Sequence, residues 1–212
     1  EDKSKTTQEN DFPHFTPFNP SEYSIKVLKT APGTYLQEHP QWGYELSRGD
    51  QNHLSEKLGE TIKAVLEKEA PIEAKRLGKL VTETWGYQNR KNERQYVLNQ
   101  VNTNLFEENK SGLFVWSSPA QQESFDTFRP SEGKTRNIEE IHPKEWNSAL
   151  THILKALGSL EITDAAKVLS KQFGMNRFTE KVEKQVTSII GEAISKKIVI
   201  TYKSQVCLPD NN

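Results

Sequence analysis

The chain has 212 residues, enough for one large domain or two small ones, and its formal net charge of -1 gives no overall electrostatic attraction to nucleic acid. Hydrophobic residues make up 33% of the sequence, the mean hydropathy is -0.78, and no apolar run approaches the roughly 18 residues of a membrane span. The single cysteine, Cys207, excludes an intramolecular disulfide and a cysteine-rich zinc site, which fits a cytoplasmic protein.

The first segment in chain order, residues 1–52, lacks hydrophobic periodicity and is rich in proline and aromatic residues. This composition predicts an irregular N-terminal arm. The chain starts at Glu1 rather than Met and shows no signal-peptide pattern there, so we expect a fragment of a longer protein. Because exposed aromatic surface promotes aggregation, we expect the arm to pack on the adjoining unit or on an absent domain through Phe12, Phe15, Phe18, Tyr23, Trp42 and Tyr44.

Residues 53–117 show the pattern of three helices followed by a β-rich run. Apolar residues recur every three or four positions in each predicted helix, and Pro71 interrupts the pattern between the first two. In the third helix this spacing predicts a buried stripe of Leu98, Val101 and Leu105. The run "GLFVW", from Gly112, predicts a strand.

The same order recurs after Pro143, a residue that suits the first turn of a helix. Without a gap, Leu58 falls on Trp146 and Trp85 on Phe173, both 88 positions later, and the second copy ends in two predicted strands around Lys203. Such a register indicates a structural duplication. Helix, extended segment, helix, helix and β-hairpin is the order of a winged helix, the helix-turn-helix variant with a β wing. We therefore predict a mainly α fold with small β wings, of the α+β class, with winged helices at 53–117 and 143–212 and a linker at 118–142.

The linker contains Gly133-Lys134-Thr135, the ending of a phosphate-binding P-loop. A P-loop needs a glycine five residues earlier, where this chain has Phe128, and Pro143 follows too soon for a long phosphate-capping helix. We therefore expect no bound nucleotide. The segment is interpreted as an acidic, flexible connector that touches its neighbours through Arg129, Lys134 and Arg136.

Four stretches carry a family resemblance: "EAPIEAKRLGKLVTETWG" from Glu69, "GLFVW" from Gly112, "RNIEEIHPKEW" from Arg136 and "ITDAAKVLSKQFGMNR" from Ile162. Over about residues 50–208 the chain resembles the C-terminal domain of very large bacterial proteins that join a superfamily-one helicase core to a Vsr-like endonuclease. That family's linker ends in two prolines, where this chain has His142-Pro143. The resemblance implies a tandem winged-helix-like domain whose partners are the helicase and nuclease domains of the parent chain. It implies no catalytic residue in this domain.

Winged helices that bind DNA place the third helix in the major groove and the wing near phosphates. If Val182, Val186 and Ile189 are buried, the third helix of the second copy turns polar and basic residues outward. The residues predicted to bind nucleic acid there are Asn176, Arg177, Lys181, Lys184, Ser188 and Lys203. The first copy offers a less basic set: Arg90, Lys91, Tyr96 and Asn99.

We predict a non-catalytic accessory module that binds or orients DNA, mainly through the second copy, with no cofactor and no membrane contact. The alternative is a protein–protein or interdomain docking module without nucleic-acid contact, which the near-neutral charge favours. The five histidines lack the spacing and cysteine partners of a metal site, and no serine, cysteine or acidic constellation predicts catalysis. The large aromatic residues Trp85, Trp116, Trp146 and Phe173 are predicted to be core.

Overall fold

The computed structural model describes residues 15–20, 51–85, 91–131, 133 and 136–209. Over these residues the protein contains seven α-helices, two 3-10 helices and two three-stranded antiparallel sheets, which confirms the predicted α+β class. In this part of the chain no helix has the length and apolar character needed to cross a bilayer. The chain divides into two compact units.

The first unit comprises Thr16–Phe125 and Arg136–Pro143. Its sheet has the order β1-β3-β2, and both outer strands pair with β3 at the same residue, Val115. The elements are α1 (Gln51–Glu69), β1 (Ile72–Glu73), α2 (Ala74–Thr84), α3 (Lys91–Asn99), a 3-10 turn (Thr103–Leu105), β2 (Phe106–Asn109), β3 (Gly112–Val115), α4 (Pro119–Ser124) and a second 3-10 turn (Ile138–Glu140).

The core of the first unit forms where the helices turn their apolar faces inward. On α1 these are Leu58, Ile62, Val65 and Leu66, a spacing that keeps them on one side of the helix. Trp85, at the end of α2, is 2% exposed. Its indole Nε1 donates a hydrogen bond to Thr61 Oγ1 at 3.1 Å, so the ring is buried without leaving its N–H unpaired. Trp85 and Trp116 are core residues, as predicted.

The second unit comprises Lys144–Asn212 together with Glu1–Phe15 and Asp126–Thr135. Its sheet has the order β4-β6-β5, so the strand next to the first helix again pairs with the last strand of the hairpin. The elements are α5 (Pro143–Leu157), β4 (Leu160–Glu161), α6 (Ile162–Gln172), α7 (Glu180–Ser195), β5 (Ile200–Tyr202) and β6 (Gln205–Cys207).

Aromatic rings form the centre of the second core. The ring centroids of Trp146 and Phe173 lie 4.3 Å apart, and Phe128 meets Phe173 edge-on at 6.1 Å. Trp146 and Phe173 are 2% and 1% exposed, which confirms their prediction as core residues. Large rings in such pairs supply much of the apolar burial of a small core.

The two units share their element order, and the shift of 88 residues holds through the second helix. β1 and α2 begin at Ile72 and Ala74, whereas β4 and α6 begin at Leu160 and Ile162. In both copies a glutamate immediately precedes the second helix as its N-cap. The alignment therefore extends from the apolar positions to the helix boundaries themselves.

The third helices depart from that register. In the first copy Val97 on α3 and Val101 just after it are buried, and on α7 Val186 and Ile190 are buried, 89 positions later in each case. Val101 is buried as predicted, but Leu98 is only half-buried and Val97 takes its place in the core. Residues three apart and residues four apart both lie on the same face of a helix. An apolar pair alone therefore does not decide which residues of the helix point to the core.

The N-terminal arm contributes one buried aromatic residue to each unit. Phe18 belongs to the first core, and its backbone N–H donates to Glu69 Oε1 at 2.7 Å. Phe15 is buried in the second unit, where its N–H donates to the carbonyl of Pro130 at 2.7 Å. The remaining predicted arm contacts lie outside the described residues: Phe12, Tyr23, Trp42 and Tyr44.

The described part of the linker is structured, contrary to the expectation of a flexible connector. Phe128 is 1% exposed, and Arg129 forms a two-pronged ion pair with Glu145, with Nε 3.1 Å from Oε2. Ser131 forms a bridge to Phe173. Arg136 is buried in the first unit, whereas Lys134 lies outside the described residues. The prediction of a flexible connector is wrong because the buried residues of this segment are isolated from one another and follow neither a helix nor a strand period.

Replacing Gly174 with alanine is expected to destabilise the second unit by more than about 1 kcal/mol. Gly174 has a φ of +71°, and a Cβ there would lie 2.2 Å from the carbonyl oxygen of Gly133. Thermal denaturation would show the loss. Gly158 also has a positive φ, but a Cβ there would meet nothing within 4 Å. The Gly158→Ala variant therefore shows the cost of backbone strain without a clash. Equal losses for the two variants would mean that the close approach is unimportant.

Candidate nucleic-acid interface

The helix α7 presents one apolar face to the core and the opposite face to solvent. Its N-cap is Thr179, whose hydroxyl accepts from the backbone N–H of Val182 at 3.4 Å. Toward the core it buries Val186, Ile190 and Ala193. The predicted outward residues are all exposed at spacings of three and four, which puts them on one face: Lys181, Lys184 and Ser188.

The preceding helix carries two further lysines that were not predicted from the sequence. Lys167 and Lys171 are exposed on α6, the helix that packs against α7. Asn176 and Arg177 are exposed in the turn between the two helices, as predicted. Lys167 and Lys171 are one helical turn apart and lie opposite the buried alanines of α6. This spacing in the sequence predicts that both are exposed. We call Lys167, Lys171, Arg177, Lys181 and Lys184 the basic surface.

Within the described residues, the members of the basic surface are not held in ion pairs. Residues 162–209 contain eight basic and four acidic residues, a net charge of +4. Among the described residues no ion pair involves any member of the basic surface. On the first unit two lysines do have partners: Lys57 with Glu60 and Lys63 with Glu67. An unpaired cluster of this kind attracts anions.

The hairpin β5–β6 ends in the turn Lys203-Ser204, and Lys203 is exposed there, as predicted. Its Nζ lies 5.2 Å from the centroid of the Tyr202 ring, which is 63% exposed. Sequence reasoning singled out Lys203 and overlooked Tyr202. All three residues of the edge strand β5 are exposed, so the strand has no alternation of buried and exposed positions that would single out Tyr202.

The first unit does not assemble a comparable surface from its predicted residues. Lys91 is exposed at the start of α3, and Arg90 lies outside the described residues. Asn99 is exposed and accepts a hydrogen bond from Gln95 Nε2 at 3.0 Å. Tyr96 was wrongly placed on the outer stripe, because its ring is half-buried against the core and burial raises the pKa of its hydroxyl. The shift of the helix phase by one residue explains this error.

The first unit also contains a carboxylate–imidazole pair. Glu107 Oε1 lies 3.2 Å from His142 Nε2, and Glu107 Oε2 accepts from Trp116 Nε1 at 2.9 Å. His142 is 1% exposed and lies edge-on to the rings of Phe114 and Trp116, each 4.8 Å away. These rings leave the imidazole no open face for a substrate. In the described part of the chain no group of three His, Cys, Asp or Glu is placed to hold a metal.

Acid is expected to weaken the first unit through Glu107. Partial burial pushes the pKa of Glu107 upward, but the charge of His142 and hydrogen bonds from Trp116, Asn109 and Gln122 outweigh it, so the pKa lies below its usual value. A depressed carboxyl pKa stabilises the fold above the unfolded-state pKa, and that stability is lost as the pH falls through the folded-state value.

Glu107→Gln is therefore expected to cost about 1–2 kcal/mol at neutral pH and to flatten the fall in stability below pH 4.5. Urea denaturation at a series of pH values, followed by tryptophan fluorescence, measures both effects. The exposed neighbour Glu108→Gln is the matched control and should change neither. Identical pH dependence in wild type and Glu107→Gln would contradict the assignment.

Comparison with known proteins adds no family to this description. No protein-family model, no curated protein sequence and no solved structure matches the chain. What the basic surface does is therefore inferred from its own residues and geometry.

Proposed function

We propose that the two units are tandem winged helices and that the fragment is a non-catalytic accessory module that holds DNA, chiefly through the second unit. The shared order of helix, strand, helix, helix and hairpin supports this, as do the sheet orders β1-β3-β2 and β4-β6-β5. The observation that carries the proposal is that the exposed cations of the third helix and its preceding turn form no ion pair within the described residues. In a winged helix that element enters the major groove.

In this arrangement the second unit binds the phosphate backbone more than it contacts the edges of the bases. Lys181 and Lys184 reach phosphates at the groove edge, Ser188 and Asn176 supply neutral hydrogen-bonding groups, and Lys203 brings a charge from the wing. Lysine is a mobile point charge that suits phosphate better than bidentate base recognition. The expected binding is therefore strong at low salt and nearly independent of sequence.

A sequence-independent grip suits a module that serves an enzyme rather than selecting a site. We propose that the parent chain carries helicase and nuclease domains and acts on DNA in the cytoplasm, in line with the resemblance of Glu69–Gly86 and Ile162–Arg177 to such proteins. The module would hold or orient the DNA while those domains act on it. The first unit, whose predicted nucleic-acid-binding residues form a less basic set, would then serve mainly as a spacer or an interdomain contact.

Fluorescence anisotropy with a labelled duplex at low salt tests the proposal. With about three to four phosphate contacts, the logarithm of the association constant should fall with the logarithm of salt concentration with a slope of about -3 to -4. Absence of binding at high micromolar protein would contradict it. A salt-insensitive complex with the parent's other domains, formed by a fragment that binds no DNA, would establish the docking alternative instead.

A further inference from the structure

The two hairpins turn at the same dipeptide, which allows their tips to be compared directly. The first turns at Lys110-Ser111 between the paired residues Asn109 and Gly112. Asn109 Oδ1 accepts from the backbone N–H of Ser111 at 2.9 Å, and Gly112 adopts a φ of +139°. Asparagine and glycine are the residues that such turns favour, so the first tip is explained by turn chemistry.

The second tip lacks both of these residues. Tyr202 and Gln205 form the pair that flanks Lys203-Ser204. Lys203 and Ser204 take φ values of +47° and +67°, in the left-handed region that side chains other than glycine and asparagine adopt only at a cost. Turn chemistry therefore does not account for the tyrosine.

Core packing does not account for it either. Val206 is fully buried and pairs with Thr201. The next residue of β5, Tyr202, pairs with Gln205. Alternate residues of a strand point to opposite faces, so Tyr202 stands on the face of the sheet away from the core. Its ring is 63% exposed, the largest exposure among the large hydrophobic residues found exposed in the described part of the chain. A solvated ring and an ammonium group thus lie together at the tip of a hairpin.

We propose that Tyr202 is a base-stacking site and that the second unit prefers DNA in which a duplex meets a single strand. This inference rests on the proposed function: the basic surface holds the duplex, and the wing offers its ring to an unpaired base. Aromatic side chains stack on any base, because every base has a π-face, and Lys203 is placed to meet the adjoining phosphate. In continuous duplex the base faces are already stacked and offer the ring nothing.

The test compares the affinity of the whole chain for a blunt duplex and for the same duplex extended by a single-stranded tail. Wild type should prefer the tailed DNA by roughly 5- to 150-fold, the range of one base–aromatic stack. Tyr202→Phe should keep the preference. Tyr202→Asn, which copies the residue at the equivalent position of the first hairpin, should lose it while binding blunt duplex as before.

A fluorescent purine analogue at the first unpaired position gives a direct readout, since stacking quenches its emission. Wild type and Tyr202→Phe should quench it, and Tyr202→Asn should not. Equal preference in wild type and Tyr202→Asn, or no preference for the tail, would overturn the stacking site while leaving the proposed duplex binding intact. Loss of duplex binding in every variant, with wild type also failing, would remove both proposals. Tyr202→Asn abolishing a complex with the parent's other domains, with DNA preference unchanged, would make the ring a protein contact and also overturn the inference.

Discussion

Charge reversal at Lys181 and Lys184 together is expected to lower the affinity for duplex DNA by about tenfold to hundredfold at low salt, with little change in stability. Both side chains are exposed on the outer face of α7. Each contact with a phosphate releases about one counterion, so the salt dependence of binding should flatten by about two units of slope. Anisotropy titrations over a range of salt concentrations measure the affinity and the slope in one experiment.

The matched control reverses two exposed lysines of the first unit, Lys75 and Lys110, which changes the net charge of the chain by the same amount. If the second unit carries the binding, this control should weaken it only slightly. A larger loss for Lys75→Glu/Lys110→Glu than for Lys181→Glu/Lys184→Glu would assign DNA binding to the first unit. Equal small losses would show that only net charge matters.

Arg129→Ala is expected to destabilise the second unit by about 3–5 kcal/mol, the usual cost of stranding one member of a buried ion pair. The Glu145 side chain is 0% exposed, and two nitrogens of Arg129 bind its carboxylate, one at 3.1 Å and one at 2.5 Å. Without the guanidinium, the buried carboxylate keeps its charge away from water or must take up a proton. Urea denaturation combined with hydrogen exchange in α5 would assign the loss to this unit.

Two further variants sharpen this prediction. Arg177→Ala removes an exposed arginine of the same unit and should change stability by less than about 0.5 kcal/mol. Replacing Arg129 and Glu145 together by leucine should restore much of the stability, because no unpaired charge is then buried. A cost below about 1 kcal/mol for Arg129→Ala would mean that the linker is not an integral part of the second unit.

Much of the helical core was predictable because it is encoded locally. Leu58, Ile62 and Val65 are buried as their spacing requires, and the equivalence of Trp85 with Phe173 follows from the unbroken shift of 88 residues. The exposure of Lys181 and Lys184 was predictable for the same reason. A residue opposite an apolar stripe points to solvent wherever the helix is placed.

The phase of the third helices and the structure of the linker were not predictable in this way. On α3 either Val97 or Leu98 satisfies the spacing with Val101, and only the contact with α2 selects Val97. The burial of Phe128 depends on Phe173, which comes much later in the chain. No periodic pattern marks a single buried ring in an irregular segment.

By itself the sequence determined the amphipathic helices, their repeated order and the basic character of the third helix in the second copy, because each depends on residues within a few turns of one another. Only the tertiary structure decided that Arg129 is held by Glu145, that no ion pair in the described part of the chain involves the basic surface, and that Tyr202 stands in solvent. Those facts depend on which distant segments meet. The energy of a charge or an exposed ring is set by its surroundings in space, and neighbours in sequence do not reveal them.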